Sequence, residues 1–156
     1  MSGKGALYTA RLALEDLKPG GAFRRQFRSP DGAELEIGCG KGRFLIHSAL
    51  TLPTRDFLGI ERAHRFYRVA LARTEKRGLQ NLKLVRGDAR ELLANIPASS
   101  LRAVHVLFPD PWPKRRHRKR RLFREEFVQG VVRVLAEGGF LNLATDHTEY
   151  FTAITR

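Results

Sequence analysis

Short apolar runs recur along the chain, mostly at intervals of a little over twenty residues, with helix-like stretches between them. The runs lie at 34–37, 57–60, 82–85, 104–108 and 140–144. Each is short and rich in β-branched or large apolar residues, which is typical of a strand. Because the runs are apolar almost throughout, both faces of each strand should be buried, as in a parallel sheet covered by helices. The pattern predicts an α/β fold with a doubly wound, mostly parallel sheet.

The stretches between the runs contain helical stripes. One stripe consists of Ala63, Phe66, Tyr67, Ala70 and Leu71, and a second of Val128, Val131, Val132 and Leu135. Spacings of three and four residues predict amphipathic helices, and we expect Gly138 and Gly139 to end the second one. Residues 1–32 show no clean period and carry Gly, Pro and Arg. They are therefore predicted to be a basic, partly ordered leader before a domain at 33–156.

A glycine-rich turn follows the first run. It includes Glu36, Gly38, Gly40 and Gly42, and a helix is predicted to begin near Arg43. Glycines allow close backbone approach, and a helix N-terminus offers free amides, so strand, turn and helix together predict a ligand cradle. The pattern fits neither a P-loop nor the dinucleotide motif G-x-G-x-x-G, whose third glycine position is occupied here by Arg43. A tight structural turn is the alternative for the glycines alone.

Acidic residues follow the next three runs in the same way. Glu61 comes directly after the second run, at a spacing from the glycines where an acid can accept hydrogen bonds from ribose hydroxyls. Asp88 follows the third run and Asp110 the fourth. Each acid taken alone is more often a helix cap or a surface charge than a ligand contact. Together they predict a ligand site, because the carboxyl ends of parallel strands meet at one edge of the sheet.

Asp110 stands between two prolines, shortly before a cationic segment at 114–121. The prolines should make residues 108–113, called the lip below, stiff. The whole chain has 29 Lys and Arg against 16 Asp and Glu, a formal net charge of +13 on 156 residues. A polyanionic partner follows, and nucleic acid is favoured over a membrane because the chain shows no long basic amphipathic helix. A solvated or localisation tract is the alternative for the cationic segment alone.

Several function classes are excluded by composition. The single cysteine, Cys39, excludes an internal disulfide, and no apolar stretch is long enough to predict a membrane span or a secretion signal. A cytoplasmic location follows by default. His47, His64 and His147 show no metal-ligand spacing with Cys39, so no metal site is expected. His105, inside a predicted strand, is expected to be a core residue.

Four segments together resemble the bacterial tRNA (guanine-N7-)-methyltransferases, a family of class I S-adenosylmethionine-dependent enzymes with a Rossmann-like fold. They are 36–42, 59–61, 108–112 with the cationic segment after it, and 144–146. The most specific of them is Phe-Pro-Asp-Pro-Trp with its basic extension. The resemblance implies S-adenosylmethionine as cofactor, tRNA as partner, and methyl transfer to N7 of a guanine in the tRNA variable loop.

The resemblance also implies roles for individual residues. Asp110 would be the active-site carboxylate, acting electrostatically or by recognising the base. The residues implied to bind the cofactor are Glu36, Gly38, Gly40, Gly42, Glu61, Asp88 and Ala89. Those implied to bind the substrate or its RNA are Lys114, Arg116, His117, Arg118, Lys119, Arg120, Arg121 and Asp146.

The family pattern continues beyond the segment 144–146 through a helix, two strands and a Thr-x-x-Glu element, whereas this chain stops at Arg156. We therefore expect the last two strands of the sheet to be missing. A non-catalytic RNA-binding module on a methyltransferase-like fold is the main alternative function. A nicotinamide-dependent oxidoreductase is less favoured, because it leaves the cationic segment unexplained. The sequence leaves the oligomeric state open between monomer and homodimer.

Overall fold

A computed structural model describes residues 10–17, 22–29 and 31–156. Its single sheet contains six strands, all parallel: β1 (Arg11–Leu12), β2 (Ala33–Ile37), β3 (Phe57–Glu61), β4 (Leu82–Arg86), β5 (Leu101–Leu107) and β6 (Leu135–Ala144). The α-helices are α1 (Ala22–Arg25), α2 (Arg43–Thr51), α3 (His64–Lys76), α4 (Ala89–Asn95), α5 (Glu125–Val134) and α6 (Thr148–Ile154), and two 3₁₀ helices span Leu14–Leu17 and Arg115–Arg120. The predicted parallel α/β architecture is confirmed.

The strand order, β1-β4-β3-β2-β5-β6, reverses direction at β2. From β2 the chain moves outward through β3 and β4, and then crosses back to β5 on the other side of β2. Such a reversal opens a crevice beyond the carboxyl ends of the two strands, which is where open α/β sheets bind ligands. The order therefore places the crevice between the ends of β2 and β5.

The two faces of β2 have different surroundings. Leu35 and Ile37 pack in one core cluster with Leu93 of α4 and Phe127 of α5. Because successive side chains of a strand alternate, Glu34 and Glu36 point to the opposite face, on which α2 packs. Both glutamates are buried. The central strand thus carries two carboxyl groups into the interior of the protein.

The prediction that Gly138 and Gly139 end the second helix was wrong. Helix α5 ends at Val134, and Leu135 already pairs with Leu101 of β5. The register then shifts before Ala103 pairs with Phe140, so the two glycines lie in an irregular part of the strand. A Cβ on Gly139 would lie 2.8 Å from the Ala136 carbonyl oxygen, which explains why glycine is needed there.

Part of the segment 1–32 packs with the domain. Leu12 of β1 pairs with Val85 of β4, and Leu17 and Phe23 are buried in the core. Residues 1–9, 18–21 and 30 lie outside the described residues, so the leader and the domain boundary at 33 stay predictions.

The described helices are short. The longest, α3, has 13 residues, whereas a membrane span needs about 20. None of the described helices has the length and the apolar character of a membrane-spanning segment.

Candidate active site at the carboxyl edge of the sheet

The loop between β2 and α2 contains three glycines in the left-handed backbone region. Their φ angles are 71° at Gly38, 55° at Gly40 and 75° at Gly42, a conformation that glycine adopts without steric cost. A Cβ on Gly38 or Gly40 would meet no described heavy atom within 4 Å, whereas one on Gly42 would lie 3.1 Å from Ala70 Cβ. Gly42 therefore allows α2 and α3 to pack closely, and the first two glycines leave an open backbone surface.

Glu61, the last residue of β3, is hydrogen-bonded to this loop. Its Oε2 accepts from the Gly40 amide at 2.8 Å, and its Oε1 accepts from the Ala63 amide at 2.7 Å. An ionised carboxylate has about four acceptor positions, so each oxygen retains capacity for a ligand hydroxyl. The side chain thus fixes the shape of the loop and still has acceptors to offer.

Glu36, near the end of β2, is a buried acid with one side-chain oxygen left unsatisfied by the described residues. Its side-chain oxygen Oε2 has no hydrogen-bond partner among the described residues, and the residue is only 5% exposed. Burial, and secondarily the nearby Glu61 carboxylate, raises the pKa of Glu36 to about 8. An unsatisfied buried polar group costs about 1–3 kcal/mol. Such a group at the end of a central strand is well placed to receive a cationic ligand.

Glu34, two residues earlier on the same strand, shows the opposite situation. Its carboxylate lies 2.9 Å from Nε2 of His105 and accepts a hydrogen bond from Arg55 at 3.1 Å. These contacts, chiefly the one with His105, lower the pKa of Glu34. His105 is buried and satisfied, as predicted, with Asn142 at its other ring nitrogen. Glu34 is therefore a partnered core residue, in contrast to Glu36, the acid that adjoins the glycine turn.

Asp88 follows β4 and caps α4. Its carboxylate accepts a hydrogen bond from the Arg90 amide at 2.9 Å and pairs with the Arg90 side chain at 3.2 Å. The Arg90 hydrogen bond lowers the pKa of Asp88. The helix-cap alternative is thus seen in the structure, and Ala89 begins the helix at the same edge of the sheet.

The lip, residues 108–113, leaves β5 through a strained backbone. Phe108 and Trp112 have positive φ angles of 54° and 42°, which bulky residues rarely adopt and which cluster at functional sites. The Phe108 amide donates to the Ala144 carbonyl at 2.7 Å, so the end of β5 is tied to the end of β6. Asp110 is exposed, and so is Asp146, two residues beyond β6. This strain is a site feature that the sequence did not predict.

The cationic segment forms a 3₁₀ helix beside the lip. Trp112 packs against it, with its ring 5.7 Å from the His117 ring and 4.9 Å from the Arg120 guanidinium. The exposed cations of the segment are Lys114, Arg115, Arg116, Arg118, Lys119 and Arg120. Arg121 differs from them because it is buried and hydrogen-bonded to Pro111 and Glu149.

The predicted site residues come together at one edge of the sheet. Glu36, Glu61, Asp88, Asp110 and Asp146 stand at or just beyond the carboxyl ends of five neighbouring parallel strands. Within residues 10–17, 22–29 and 31–156, no three His, Cys, Asp or Glu side chains group so as to hold a metal ion. The edge therefore offers carboxylates, an open glycine loop and neighbouring cations.

A family model described as "Putative methyltransferase" matches residues 32–156 of the chain. The chain belongs to this methyltransferase family. The resemblance inferred from four sequence segments is confirmed.

Curated relatives of this methyltransferase chain are named tRNA (guanine-N(7)-)-methyltransferase. The one from Alkalilimnicola ehrlichii is 50% identical over 117 residues, a match covering 74% of this chain and 49% of the relative. The one from Nitrosococcus oceani is 45% identical over 117 residues, covering 74% and 50%. The chain thus spans about half the length of the curated relatives that it matches.

Solved structures support the fold. The precorrin-6y C5,15-methyltransferase of Geobacter metallireducens GS-15 superposes with a TM-score of 0.61 at 22% identity, covering 82% of this chain and 62% of that one. At this level of identity the similarity concerns the fold, which is the Rossmann-like fold of class I methyltransferases.

Proposed function

We propose that this chain carries the methyl-transfer site of a tRNA (guanine-N7-)-methyltransferase, which moves a methyl group from S-adenosylmethionine to N7 of a guanine in the tRNA variable loop. The observation that carries the proposal is the buried Glu36, whose Oε2 has no partner among the described residues, beside an open glycine loop. Both lie at the same sheet edge as Asp110 and its cationic segment. The names of the curated relatives support the substrate. A tRNA substrate implies a cytoplasmic location.

The residues present fit S-adenosylmethionine. Its amino acid end carries an ammonium group, and Glu36 offers a buried carboxyl group whose Oε2 has no partner among the described residues. Gly38 and Gly40 leave backbone surface for close approach, and Glu61 has spare acceptors for ribose hydroxyls. Asp88 and Ala89 follow β4, on the side of the crevice where the adenine is expected. When bound, S-adenosylmethionine supplies an electrophilic methyl group on a positively charged sulfur.

Guanine N7 needs little acid-base help from the protein. The atom presents an in-plane lone pair, so attack on a methyl group requires no prior deprotonation. Positioning the base is then the main task of the site, and near-attack geometry can supply about 7–11 kcal/mol. The exposed Asp110 carboxylate would stabilise the positive charge that develops on the purine, or accept hydrogen bonds from the guanine N1 and N2 edge. Asp146 is the other acid available for that edge.

A methyl-transfer assay with unmodified tRNA tests the function directly. We expect this chain to transfer labelled methyl from S-adenosylmethionine to one guanine of the variable loop, and strand cleavage after borohydride reduction and aniline treatment locates N7-methylguanine. Calorimetric titration with the cofactor distinguishes the main alternative, because a non-catalytic RNA-binding module would bind tRNA without binding S-adenosylmethionine.

The exposed cations beside the lip should hold the tRNA backbone. Removing Arg116 and Lys119 together, as Arg116→Gln with Lys119→Gln, should weaken tRNA binding and lower the salt slope by about one unit per lost phosphate contact. Fluorescence anisotropy with labelled tRNA at several salt concentrations measures the slope.

Lys76→Gln is the matched control, because this exposed lysine ends α3 on the far side from the carboxyl edge. Its slope should equal that of the parent chain. An equal loss of slope per charge removed in the two variants would indicate diffuse charge attraction instead of a dedicated interface.

A further inference from the structure

Arg121 ends the cationic segment and, unlike the exposed cations before it, turns inward. Its side chain is 8% exposed, against 51% for Arg118 in the same segment. Burying a guanidinium is costly unless its hydrogen-bond donors are satisfied, so the contacts of Arg121 indicate what the residue does.

Three contacts surround the Arg121 guanidinium. Its Nε donates to the Pro111 carbonyl at 2.7 Å, and its two terminal nitrogens donate to the two carboxylate oxygens of Glu149 at 3.3 and 2.6 Å. One face of the group lies over the Tyr150 ring, 4.7 Å from its centroid. This forked pairing with a carboxylate is the strong and geometrically specific form of the arginine ion pair.

These contacts join two parts of the candidate active site. Pro111 follows Asp110 directly in the lip, while Glu149 and Tyr150 lie in the first turns of α6, shortly after Asp146. Tyr150 is 1% exposed, so its burial packs α6 against the rest of the domain. The Arg121 side chain thus connects the lip, which carries Asp110, to α6, which begins two residues after Asp146.

We propose that Arg121 and Glu149 form a latch that holds the lip against α6 and thereby sets the position of Asp110 relative to Asp146. Both are positioning residues for the methyl transfer, a role that rests on the proposed function. Arg121 is then distinct from the exposed cations that bind RNA phosphates.

The structure favours a latch over an RNA contact for Arg121. Its Nε donor and its carboxylate-facing donors are engaged within the protein, so a phosphate would have to displace Glu149. Glu149 also pairs with Arg118 at 3.4 Å. The two roles predict different effects of replacing Glu149. If Arg121 binds RNA, loss of the competing carboxylate strengthens tRNA binding. If Arg121 and Glu149 form a latch, the same change loosens the lip.

Trp112 makes the latch measurable without tRNA or cofactor. It is the single tryptophan of the chain and lies in the lip, next to Pro111. Its fluorescence anisotropy and its quenching by acrylamide therefore report the order of the lip and of its packing on the 3₁₀ helix. Failure of the latch can in this way be distinguished from failure of the proposed function.

The experiment compares Arg121→Gln and Glu149→Gln with Arg116→Gln, which makes the same charge change as Arg121→Gln at an exposed position. Both latch variants should increase acrylamide quenching of Trp112, lower its anisotropy, and reduce kcat by up to about 100-fold with little change in the KM for tRNA. Their salt slopes for tRNA binding should equal the parent value. Arg116→Gln should do the reverse, with a slope lower by about one unit and unchanged Trp112 quenching.

The double variant should lose little more kcat than Arg121→Gln alone, because Arg121→Gln already removes the contact with Glu149. The proposal is overturned if Arg121→Gln lowers the salt slope as Arg116→Gln does and leaves Trp112 quenching unchanged. It is equally overturned if Glu149→Gln tightens tRNA binding without loosening the lip. If Arg121→Gln fails to fold, Glu149→Gln decides alone, since Glu149 is half-exposed and glutamine has nearly the same size and shape.

Discussion

Asp110→Asn should reduce methyl transfer to tRNA by about 100- to 1,000-fold, the range observed when one preorganised electrostatic group is removed from an active site. Asparagine keeps the size of the side chain and removes its charge, so the lip should retain its shape. S-adenosylmethionine binding should be unchanged, because the groups that fit the cofactor lie at the ends of β2, β3 and β4. Single-turnover methyl transfer and calorimetric titration measure the two effects separately.

Asp31→Asn is the control for this experiment. Asp31 precedes β2 and lies 3.7 Å from Arg102, at the amino end of the sheet, so the same charge change occurs away from the site. Its methyl transfer should match that of the parent chain. Full activity of Asp110→Asn would contradict the role assigned to Asp110. A selective rise in the KM for tRNA would instead assign it to base recognition.

Strands β2 to β5 were predictable because they are largely buried and therefore rich in apolar residues. Strand β6 was predicted from the same apolar character, although none of its residues is fully buried. The limits of the strands were less predictable, for local reasons. Strand β5 begins at Leu101, three residues before the predicted start. The prediction started too late because the side chain of Arg102 interrupts the apolar run, although its backbone belongs to the strand. Phe108, assigned to this strand from its apolar character, instead leaves the strand with a positive φ. Strand β1 has two residues, too few to show a period, and its pairing with β4 depends on a partner distant in sequence.

The residue types of the candidate site were predictable from their places after strands, but their contacts were not. Arg121 looks like its basic neighbours, and only Glu149, 28 residues later, decides that it is buried. Glu34 and Glu36 have the same side chain and the same face of β2, yet one meets His105 and the other has an oxygen without a partner among the described residues. Long-range partners of this kind cannot be inferred from local spacing.

Glu36→Gln should make the chain more stable at pH 8 and weaken its binding of S-adenosylmethionine. The pKa of Glu36 is raised from its ordinary value of 4.5 to about 8, chiefly by burial. Between these values the folded chain holds one proton more than the unfolded chain at this residue, so the free energy of unfolding falls as pH rises, by up to about 1.4 kcal/mol per pH unit. Glutamine does not titrate. The difference in Tm between variant and parent should therefore grow from pH 5 to pH 8, as scanning calorimetry would show.

Glu34→Gln, on the same strand, should have the opposite effect on stability. The pKa of Glu34 is lowered, first by its hydrogen bond to His105, so its carboxylate stabilises the fold at neutral pH and this contribution is lost as pH falls. Its replacement should lower the Tm at pH 7 and leave the pH dependence of cofactor binding unchanged. A Glu36→Gln variant that is less stable than the parent at pH 8 would show that the carboxyl group has a stabilising partner.

Binding of the cofactor should be linked to the ionisation of Glu36. The ammonium group of the cofactor's amino acid end favours the ionised form of Glu36, so the affinity for S-adenosylmethionine should rise with pH up to about 8. Binding below that pH should release a proton. Calorimetry in two buffers of different ionisation enthalpy measures this release. In Glu36→Gln both the proton release and the pH dependence should disappear, together with part of the affinity. If the variant binds as tightly as the parent at pH 8, Glu36 does not face the ligand, and the open glycine loop must receive the cofactor without it.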